Sequence, residues 1–258
     1  MQSQPSVDPA ATGGAQAIRR AVEIVRTVAQ IQRSGASLTR VARASGLSTS
    51  TSYRILRSLT EERLLRYDDI KKIYHVGPLA FELGLAAEGD VRTIWRDTVE
   101  RIARESRLTT YLMARSGNEA VCLVCVQGST ALRAVPMEVG QRLPLGIGAG
   151  SLAILATLED EDIHYVIAAQ GARRDLFPGS TAKAEQILKR VELTRRRGFS
   201  VSSGTVALGV IGVGMAIAPD RGLSQLAISV SAVADSIEPA DAQALAAIIA
   251  AAIGDHKA

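Results

Sequence analysis

The 258-residue chain has few aromatic side chains, few cysteines and no long apolar run, and each shortage excludes a class of protein. Aromatic residues make up 3% of the sequence, which argues against a platform of stacked rings for single-stranded nucleic acid. Two cysteines do not make a disulfide framework and fit a reducing compartment. The longest apolar stretches, 206–218 and 244–253, fall short of the roughly 18 to 20 residues of a membrane helix. We therefore expect a cytoplasmic protein with no membrane partner.

Motifs that carry catalysis or hold metals are also scarce, because the chain has only three histidines. It contains no GxSxG elbow, no HExxH motif and no plausible Ser-His-Asp set. Cys122 and Cys125 form a CxxC pair, but a structural zinc site needs a second pair of ligands. Strict alternation along 121–126 predicts that the two thiols lie on opposite faces of a strand. We expect no catalytic residue, no metal and no cofactor.

Positive charge is concentrated near the amino terminus. Residues 15–76 contain twelve Lys and Arg against five Asp and Glu, a net charge of +7, whereas the whole chain carries +4. Between Glu23 and Glu61 there are six arginines and no carboxylate, so local ion pairs cannot neutralise this stretch. Such a field of one sign attracts a polyanion, although a charge run can also be a solvated helix face.

The same region has the pattern of three short helices followed by a hairpin. After a tail over 1–14 that we expect to be disordered, apolar spacing predicts a helix over 16–32. Ser37 is placed to cap a second helix that Gly46 ends, and Ser48 is placed to cap a third. Strand-like runs on either side of 68–72 then predict a β-hairpin with a basic tip. This order predicts a winged helix-turn-helix over 15–77, with a protein-docking module of the same topology as the alternative.

The third predicted helix has a buried face and a polar face. Ser52, Ile55, Leu56 and Leu59 share the face that we expect to be buried. The opposite face is short, polar and basic, which suits base edges and phosphates in a major groove. We predict that the residues contacting DNA are Thr39, Ser48, Thr49, Ser50, Thr51, Tyr53, Arg54, Arg57, Lys71 and Lys72.

The rest of the chain alternates between strand-like and helical runs, which predicts an α+β domain over 107–258. Two helices over 78–106 precede it as a linker. Val91, Ile94, Trp95, Thr98 and Ile102 form an apolar stripe on the second of them. We interpret part of this stripe as a subunit contact, and packing on the adjoining domain is the alternative. Strands are predicted over 110–115, 120–127, 132–136, 199–202, 211–218 and 226–232, and helices over 151–158, 160–169, 182–197 and 240–253.

Four segments resemble the IclR-type bacterial transcriptional regulators. GASLTRVARASGLSTSTSYRILRSLTEERLLRYDDIKKIYHVGPLAFELG is similar to their DNA-binding domain, and GQRLPLGIGAGSLAILA, RRRGFSVSSGTVALGVIGVGMAI and LAISVSAVADSI are similar to their effector domain, in the same order. The resemblance implies a GAF-like effector domain with a curved antiparallel sheet, a double-stranded DNA operator, a small-molecule effector and a homodimer or homotetramer. Residues 48–54 read STSTSYR where the family usually has PKSTVHR, which affects the operator sequence rather than the mode of docking.

The resemblance also implies a ligand site. The family's effector site matches Ala149 and Gly150 at a helix start, together with Ser202, Gly212, Ser229 and Ser231. Ser202 stands where an acidic residue is common and Gly212 where a cysteine is common, so we expect a less charged and roomier pocket. Its aliphatic lining is predicted from Leu143, Ile147, Val213 and Met215.

These observations predict a regulator, with repression as the commoner mode, whose effector is mostly apolar and has one polar end. An enzyme with a DNA-binding appendage is the alternative from another class, with Ser151 or Ser203 as nucleophile, but it lacks a base. A DNA-binding protein that no longer senses a ligand is the third possibility.

Overall fold

The computed structural model describes residues 9–31, 35–86, 91–130, 137–170, 184–218, 225–233 and 241–257. The chain divides into two compact units, Met1–Asp90 and Val91–Ala258. The division falls within the segment predicted as linker helices, so the first of them belongs to the amino-terminal unit and the second to the carboxy-terminal unit. The strand predicted over 132–136 lies outside the described residues.

The amino-terminal unit is the predicted winged helix-turn-helix. β1 and β2 pair antiparallel from Leu65↔Val76 to Asp68↔Ile73, which confirms the hairpin. The first helix begins at Pro9 rather than near residue 16, so the last part of the segment predicted as a disordered tail is helical. The elements are α1 (Pro9–Ile31), α2 (Leu38–Ser45), α3 (Thr49–Glu61), β1 (Leu65–Asp68), β2 (Ile73–Val76) and α4 (Pro78–Ala86).

The ends of α2 and α3 follow the sequence signals with one exception. Gly46 ends α2 with a left-handed backbone (φ 66°), a conformation that glycine adopts without steric cost. The Ser48 side chain caps α3 by accepting a hydrogen bond from Thr51 N at 3.2 Å. Ser37 precedes α2 as predicted, but its side chain makes no capping hydrogen bond. The turn between the helices therefore depends on Gly46 and Ser48.

A hydroxyl lies in the core of this unit without a partner. Ser52 is fully buried, and its Oγ has no hydrogen-bond partner among the described residues. Replacing Ser52 by alanine should stabilise the unit by about 1 kcal/mol, because the unpaired hydroxyl is removed and alanine favours the helix. Ser58→Ala, on the exposed side of α3, gains helix propensity only and is the control. Amide hydrogen exchange in α1 to α3 measures both variants, and equal protection in the two would contradict the burial argument.

The carboxy-terminal unit is the predicted α+β domain. The six strands found among its described residues form one antiparallel sheet in the order β5-β4-β3-β8-β7-β6. The three-residue β5 was not predicted, because so short a run has no periodicity to detect. The elements are α5 (Val91–Ser106), β3 (Thr109–Ser116), β4 (Glu119–Val126), β5 (Arg142–Pro144), α6 (Ala149–Ala156), α7 (Asp160–Ala169), α8 (Ala184–Arg197), β6 (Ser200–Ser203), β7 (Val210–Ile217), β8 (Leu226–Val233) and α9 (Asp241–Lys257).

Each face of the sheet is covered by its own apolar core. On one face α5 and α9 pack through residues such as Val99, Ile102 and Ile249. On the other face α6, α7 and α8 pack through residues such as Ile154 and Ile163. Arg195 of α8 binds the end of α6, because its Nε donates to Ala156 O at 2.9 Å and its Nη1 pairs with Asp160 at 2.7 Å. α6 is therefore held at its carboxyl end by a charged side chain from α8.

The apolar stripe of α5 packs on its own unit. The Trp95 ring stacks on the His256 ring of α9 with centroids 3.9 Å apart, and Thr98 Oγ1 lies 3.0 Å from His256 Nδ1. Trp95, Thr98 and Ile102 are buried, whereas Ile94 is exposed. The buried residues of the stripe therefore follow the alternative, packing on the adjoining domain, and the interpretation of part of the stripe as a subunit contact applies only to its exposed part, such as Ile94.

Candidate functional site

The first candidate site is the exposed side of α3, which we call the recognition face: Thr49, Ser50, Tyr53, Arg54 and Arg57. All five residues are exposed, as the helical pattern predicts. Thr51 is half-buried, and its Oγ1 accepts a hydrogen bond from Ser48 Oγ at 2.9 Å. Thr39 and Ser48 are exposed on α2 and at the start of α3. The face thus presents hydroxyls, a phenol and two guanidinium groups along one side of α3, from its first residue to Arg57.

The two arginines of this face differ in their partners. Arg57 Nε lies 2.8 Å from Glu61 Oε1, and this hydrogen bond raises the pKa of Arg57. Among the described residues Arg54 has no ion pair. The expectation that the arginine-rich stretch cannot be neutralised locally is therefore wrong at Arg57, because Glu61 follows it by one helical turn. The expectation holds at Arg54, whose charge is available to a phosphate.

The tip of the hairpin was predicted to be basic, and this prediction is wrong. Lys72 Nζ pairs with Asp69 Oδ1 at 2.7 Å, and Asp68 and Asp69 together balance Lys71 and Lys72. The backbone N–H groups of Lys71 and Ile70 donate to Asp68 Oδ1, which holds the pKa of that carboxyl below its usual value. In the described part of the chain Lys71 has no ion pair. Lys71 is therefore the better candidate of the two lysines for a phosphate contact.

The second candidate site is a cavity in the carboxy-terminal unit, between α6 and the sheet. Its empty volume is about 510 Å³, including the solvent at its open mouth. None of the described residues that line it has a charged side chain. The lining includes seven of the ten residues predicted for the effector site: Leu143, Ala149, Gly150, Ser202, Gly212, Ser229 and Ser231.

Three predicted residues do not line the cavity. Gly212 and Gly214 of β7 face α6, so alternation places Val213 and Met215 on the other face of the sheet, in the core beneath α5 and α9. Ile147 is fully buried in the core beside α6. Apolar character and nearness in sequence predicted these three positions. Neither property determines on which face of the sheet a side chain lies.

Small side chains explain why there is room for a cavity. Ser202, Gly212 and Ser231 lie side by side across β6, β7 and β8, and Ser200, Gly214 and Ser229 form the neighbouring row. The start of α6 rests on the second row, since a Cβ on Gly214 would lie 2.8 Å from the carbonyl carbon of Ala149. Two rows of serine and glycine thus let α6 approach the sheet and leave space beside it.

The start of α6 presents backbone N–H groups to the cavity. The helix begins at Ala149, two residues before the predicted start, after Gly148 with a φ of 84°. Gly148 N donates to Thr205 Oγ1 at 3.0 Å, and Ser200 Oγ donates to Ala149 O at 2.7 Å. The N–H groups of the first helical turn have no partner within the helix, so they can bind a polar or anionic group.

Ser151, the candidate nucleophile of the enzyme alternative, is bonded to its own helix. Its Oγ donates to Ile147 O and lies 3.2 Å from Gly148 O. The hydroxyl proton is therefore directed to backbone carbonyls and not to a base, which weighs against this alternative. Ser203 is exposed at the end of β6.

Tyr111 of β3 lines the cavity and was missed in the sequence. It pairs with Ser229 across the strands and is almost fully buried, and burial raises the pKa of its phenol. Its Oη accepts hydrogen bonds from Ser231 Oγ at 3.5 Å and from Met137 N at 3.4 Å. The strand was predicted, but only its register against β8 shows that Tyr111 faces the serines.

The two cysteines lie on the same face of the sheet, so the prediction of opposite faces is wrong. The register shifts between Leu112 and Met113, which pair with Val124 and Cys122, so β4 carries one extra residue there. This β-bulge reverses the alternation, and Cys122 and Cys125 both pack on the core beside the cavity. Burial raises the pKa of Cys122 to about 12, so this thiol stays protonated. No group of three metal-binding side chains occurs within the described ranges.

The helices that the structure describes include none that is both long enough and apolar enough to cross a membrane.

Both units match known protein families. Residues 17–69 match the IclR helix-turn-helix domain, and residues 85–255 match the family described as the bacterial transcriptional regulator IclR C-terminal domain. The chain is 28% identical over 228 residues to the HTH-type transcriptional repressor AllR of Salmonella paratyphi A, covering 87% of this chain and 82% of that protein. It is 27% identical over 228 residues to AllR of Escherichia coli strain K12, again covering 87% of this chain and 82% of that protein.

Solved structures share the fold. A putative ICLR transcriptional regulator from Silicibacter sp. TM1040 superposes with a TM-score of 0.80 at 22% identity, covering 93% of this chain and 94% of that one. An IclR homolog from Microbacterium hydrocarbonoxydans, solved in complex with 4-hydroxybenzoate, superposes with a TM-score of 0.72 at 20% identity, covering 93% and 98%.

Proposed function

The chain belongs to the IclR family of bacterial transcriptional regulators, and from that premise we propose that it is a cytoplasmic, homo-oligomeric repressor whose binding to a DNA operator responds to a small molecule. The observation that carries the proposal is the recognition face of α3, which presents hydroxyls, a phenol and an unneutralised guanidinium beside a tight turn. Relatives at 27 to 28% identity are named as repressors, which favours repression over activation.

In this proposal α3 lies in the major groove with its amino-terminal residues nearest the bases. Ser50 and Tyr53 contact base edges, and Thr39, Ser48, Thr49 and Thr51 support them from the start of the helix and from α2. Arg54, Arg57, Lys71 and Lys72 hold phosphates. Arg54 and Lys71 contribute most to this electrostatic contact, since Arg57 and Lys72 are paired with carboxylates in the free protein.

The cavity beside α6 is the proposed effector site. The homolog with bound 4-hydroxybenzoate supports a small-molecule ligand for this fold. Met113, Met137, Leu143 and Val206 line the cavity together with the serines, and none of the lining residues that the structure describes is charged, so we propose a mostly apolar effector. The protein has one conformation that binds the operator and one that does not. The ligand changes operator occupancy only by the difference in its affinity for these two conformations, typically about 1 to 3 kcal/mol.

Exposed apolar side chains in the amino-terminal unit support self-association. Phe81 and Leu83 of α4 are 68% and 56% exposed, and Ile18 of α1 is 67% exposed. A two-fold dimer formed through such faces presents two recognition helices to the two halves of a palindrome. We propose a dimer as the smallest unit that binds the operator.

Selection from a random-sequence DNA library tests the proposal. The selected sites should be inverted repeats whose halves lie about one helical turn, ~34 Å, apart. Phe81→Asp should shift the protein to a smaller species in sedimentation and weaken binding to the full repeat more than to one half-site. Leu208→Asp, at a still more exposed leucine in the carboxy-terminal unit, is the control that should change neither. Selected DNA without a preferred sequence would contradict the function.

A further inference from the structure

The tip of the β1–β2 hairpin carries an apolar side chain that lies almost wholly in solvent. Ile70 is 94% exposed, which makes it the most exposed of the large apolar residues that the structure describes. Tight turns favour Gly, Asn, Asp, Ser and Pro for reasons of backbone conformation or hydrogen bonding, and isoleucine offers neither advantage. The Ile70 side chain therefore adds nothing to the core of this unit, which leaves it free to contact a partner.

The tip is nevertheless held in one conformation. The Asp68 carboxylate accepts hydrogen bonds from Ile70 N at 3.1 Å and from Lys71 N at 2.9 Å. Lys72 has a left-handed backbone (φ 55°), and its Nζ pairs with Asp69 Oδ1 at 2.7 Å. These contacts fix the direction in which Ile70 leaves the turn. A contact made by a segment that is already ordered costs less conformational entropy on binding.

The charges of the tip favour DNA as the partner. Both carboxylates are already engaged, since Asp68 binds backbone N–H groups and Asp69 is paired with Lys72. Lys71, beside Ile70, has no ion pair within the described ranges. The tip therefore offers one apolar side chain and one available cation. This combination suits the minor groove of DNA, which accepts apolar side chains between two rows of phosphates.

The hairpin lies beside the recognition face of α3. Burial raises the pKa of the Tyr74 phenol, and the nearby phenols of Tyr67 and Tyr53 raise it further, so Tyr53 of α3 is close to β2. From Tyr74 the chain runs through Ile73 to the tip, which places Ile70 roughly 10 Å further along the hairpin. The major groove is about 12 Å wide. With α3 in the major groove, the tip reaches past the phosphate backbone that borders this groove and arrives at the adjoining minor groove.

We propose that Ile70 enters the minor groove beside each half-site and selects A·T pairs there. A G·C pair places the guanine amino group in the minor groove, whereas an A·T pair has no such donor. An apolar side chain against that amino group would leave it without a hydrogen-bond partner, which disfavours G·C. The inference rests on the proposed function, because it adds a second reading element for the same operator. α3 reads the half-site through the major groove, and Ile70 reads the neighbouring base pairs through the minor groove.

Three DNA duplexes test the proposal by fluorescence anisotropy. Each contains the inverted repeat obtained by selection, and the base pairs adjoining its half-sites are all A·T, all G·C or all inosine·C. Inosine·C presents the major-groove groups of G·C but lacks the amino group in the minor groove. The protein should bind the A·T and inosine·C duplexes with about equal affinity, and the G·C duplex about fivefold more weakly.

Ile70→Ala should bind all three duplexes about as weakly as the wild type binds the G·C duplex, so that the preference is lost. Leu208→Ala, at another strongly exposed apolar side chain, is the control that should keep the preference. Lys71→Ala should weaken binding to all three duplexes alike and also keep the preference, because a phosphate contact carries no sequence information.

Three results would each overturn the proposal. The first is a wild-type protein with equal affinity for the three duplexes, and the second is a preference that survives in Ile70→Ala. The third is a change in the sedimentation of Ile70→Ala, which would show that Ile70 contacts a second copy of the chain instead. The preference of the same proteins for the selected half-sites over random DNA shows separately whether the proposed function stands.

Discussion

Replacing Gly214 by alanine should destabilise the carboxy-terminal unit by about 3 kcal/mol and abolish ligand binding in the cavity. The new Cβ would lie 2.8 Å from the carbonyl carbon of Ala149 and 2.9 Å from Ala149 O and Ser200 Oγ. Two of these three atoms are backbone, so relief requires α6 to move away from the sheet. The hydrogen bond from Ser200 Oγ to Ala149 O resists that movement, and Arg195 holds the other end of the helix.

Two further glycines calibrate the effect. At Gly212 a Cβ would meet its nearest neighbours at 3.2 Å, so Gly212→Ala should cost about 1 kcal/mol while narrowing the cavity. At Gly254 in α9 nothing lies within 4 Å, and Gly254→Ala should stabilise the helix by somewhat less than 1 kcal/mol. The expected order of stability is therefore Gly254→Ala, wild type, Gly212→Ala and Gly214→Ala.

Urea denaturation followed by tryptophan fluorescence measures this series. Trp95 is the only tryptophan of the chain and lies in the core beneath α9, so its emission reports the carboxy-terminal unit alone. A Gly214→Ala protein as stable as the wild type would show that α6 does not depend on close contact with β7. A destabilised Gly214→Ala protein that still binds the ligand would contradict the location of the site.

Much of the fold could be predicted from the sequence because it rests on local signals. Helical spacing in α3, Ser48 as a cap and Gly46 as a stop specify the helix-turn-helix, and these signals act within a few residues. The strands follow in the same way from alternation, whereas their antiparallel arrangement was implied by the resemblance to the family. The start of α1 was misjudged because its first turns lack the apolar periodicity on which the prediction relied.

The cavity could be predicted only in part, because its lining depends on how distant strands pair. The serines of β8 were identified, since two residues at i and i+2 share a face. Tyr111 faces them only through the register between β3 and β8, and no local pattern gives that register. The β-bulge that brings Cys122 and Cys125 to one face likewise depends on the pairing of β4 with β3. The ion pair between Arg57 and Glu61 could have been predicted from the sequence, because the spacing of four residues on a helix is a local signal.

The recognition face should show a clear difference between its two arginines. Arg54→Ala should weaken binding to operator and random DNA alike and reduce the slope of log affinity against log salt by about 0.9, the value of one phosphate contact. Arg57→Ala should have a smaller effect, because Arg57 must first leave Glu61 to reach a phosphate. Glu61→Gln should have the opposite effect to the arginine substitutions, because it frees Arg57 from its ion pair. Binding to DNA should become tighter and the salt slope steeper. Identical salt slopes for all of these proteins would contradict the phosphate contacts.

Tyr53→Ala and Ser50→Ala should act on specificity instead. Each removes a group that we expect at a base edge, and a lost base contact costs about 1 to 3 kcal/mol on the operator and little on random DNA. The ratio of operator to random affinity should therefore fall by about tenfold or more, with the salt slope unchanged, whereas Arg54→Ala should lower both affinities and keep their ratio. Tyr67→Ala, at a partly exposed tyrosine of β1, is the matched control for loss of a phenol. Fluorescence anisotropy with both DNAs over a series of salt concentrations separates the two classes, and a ratio that falls equally in Tyr67→Ala would show that α3 is not the element that reads the sequence.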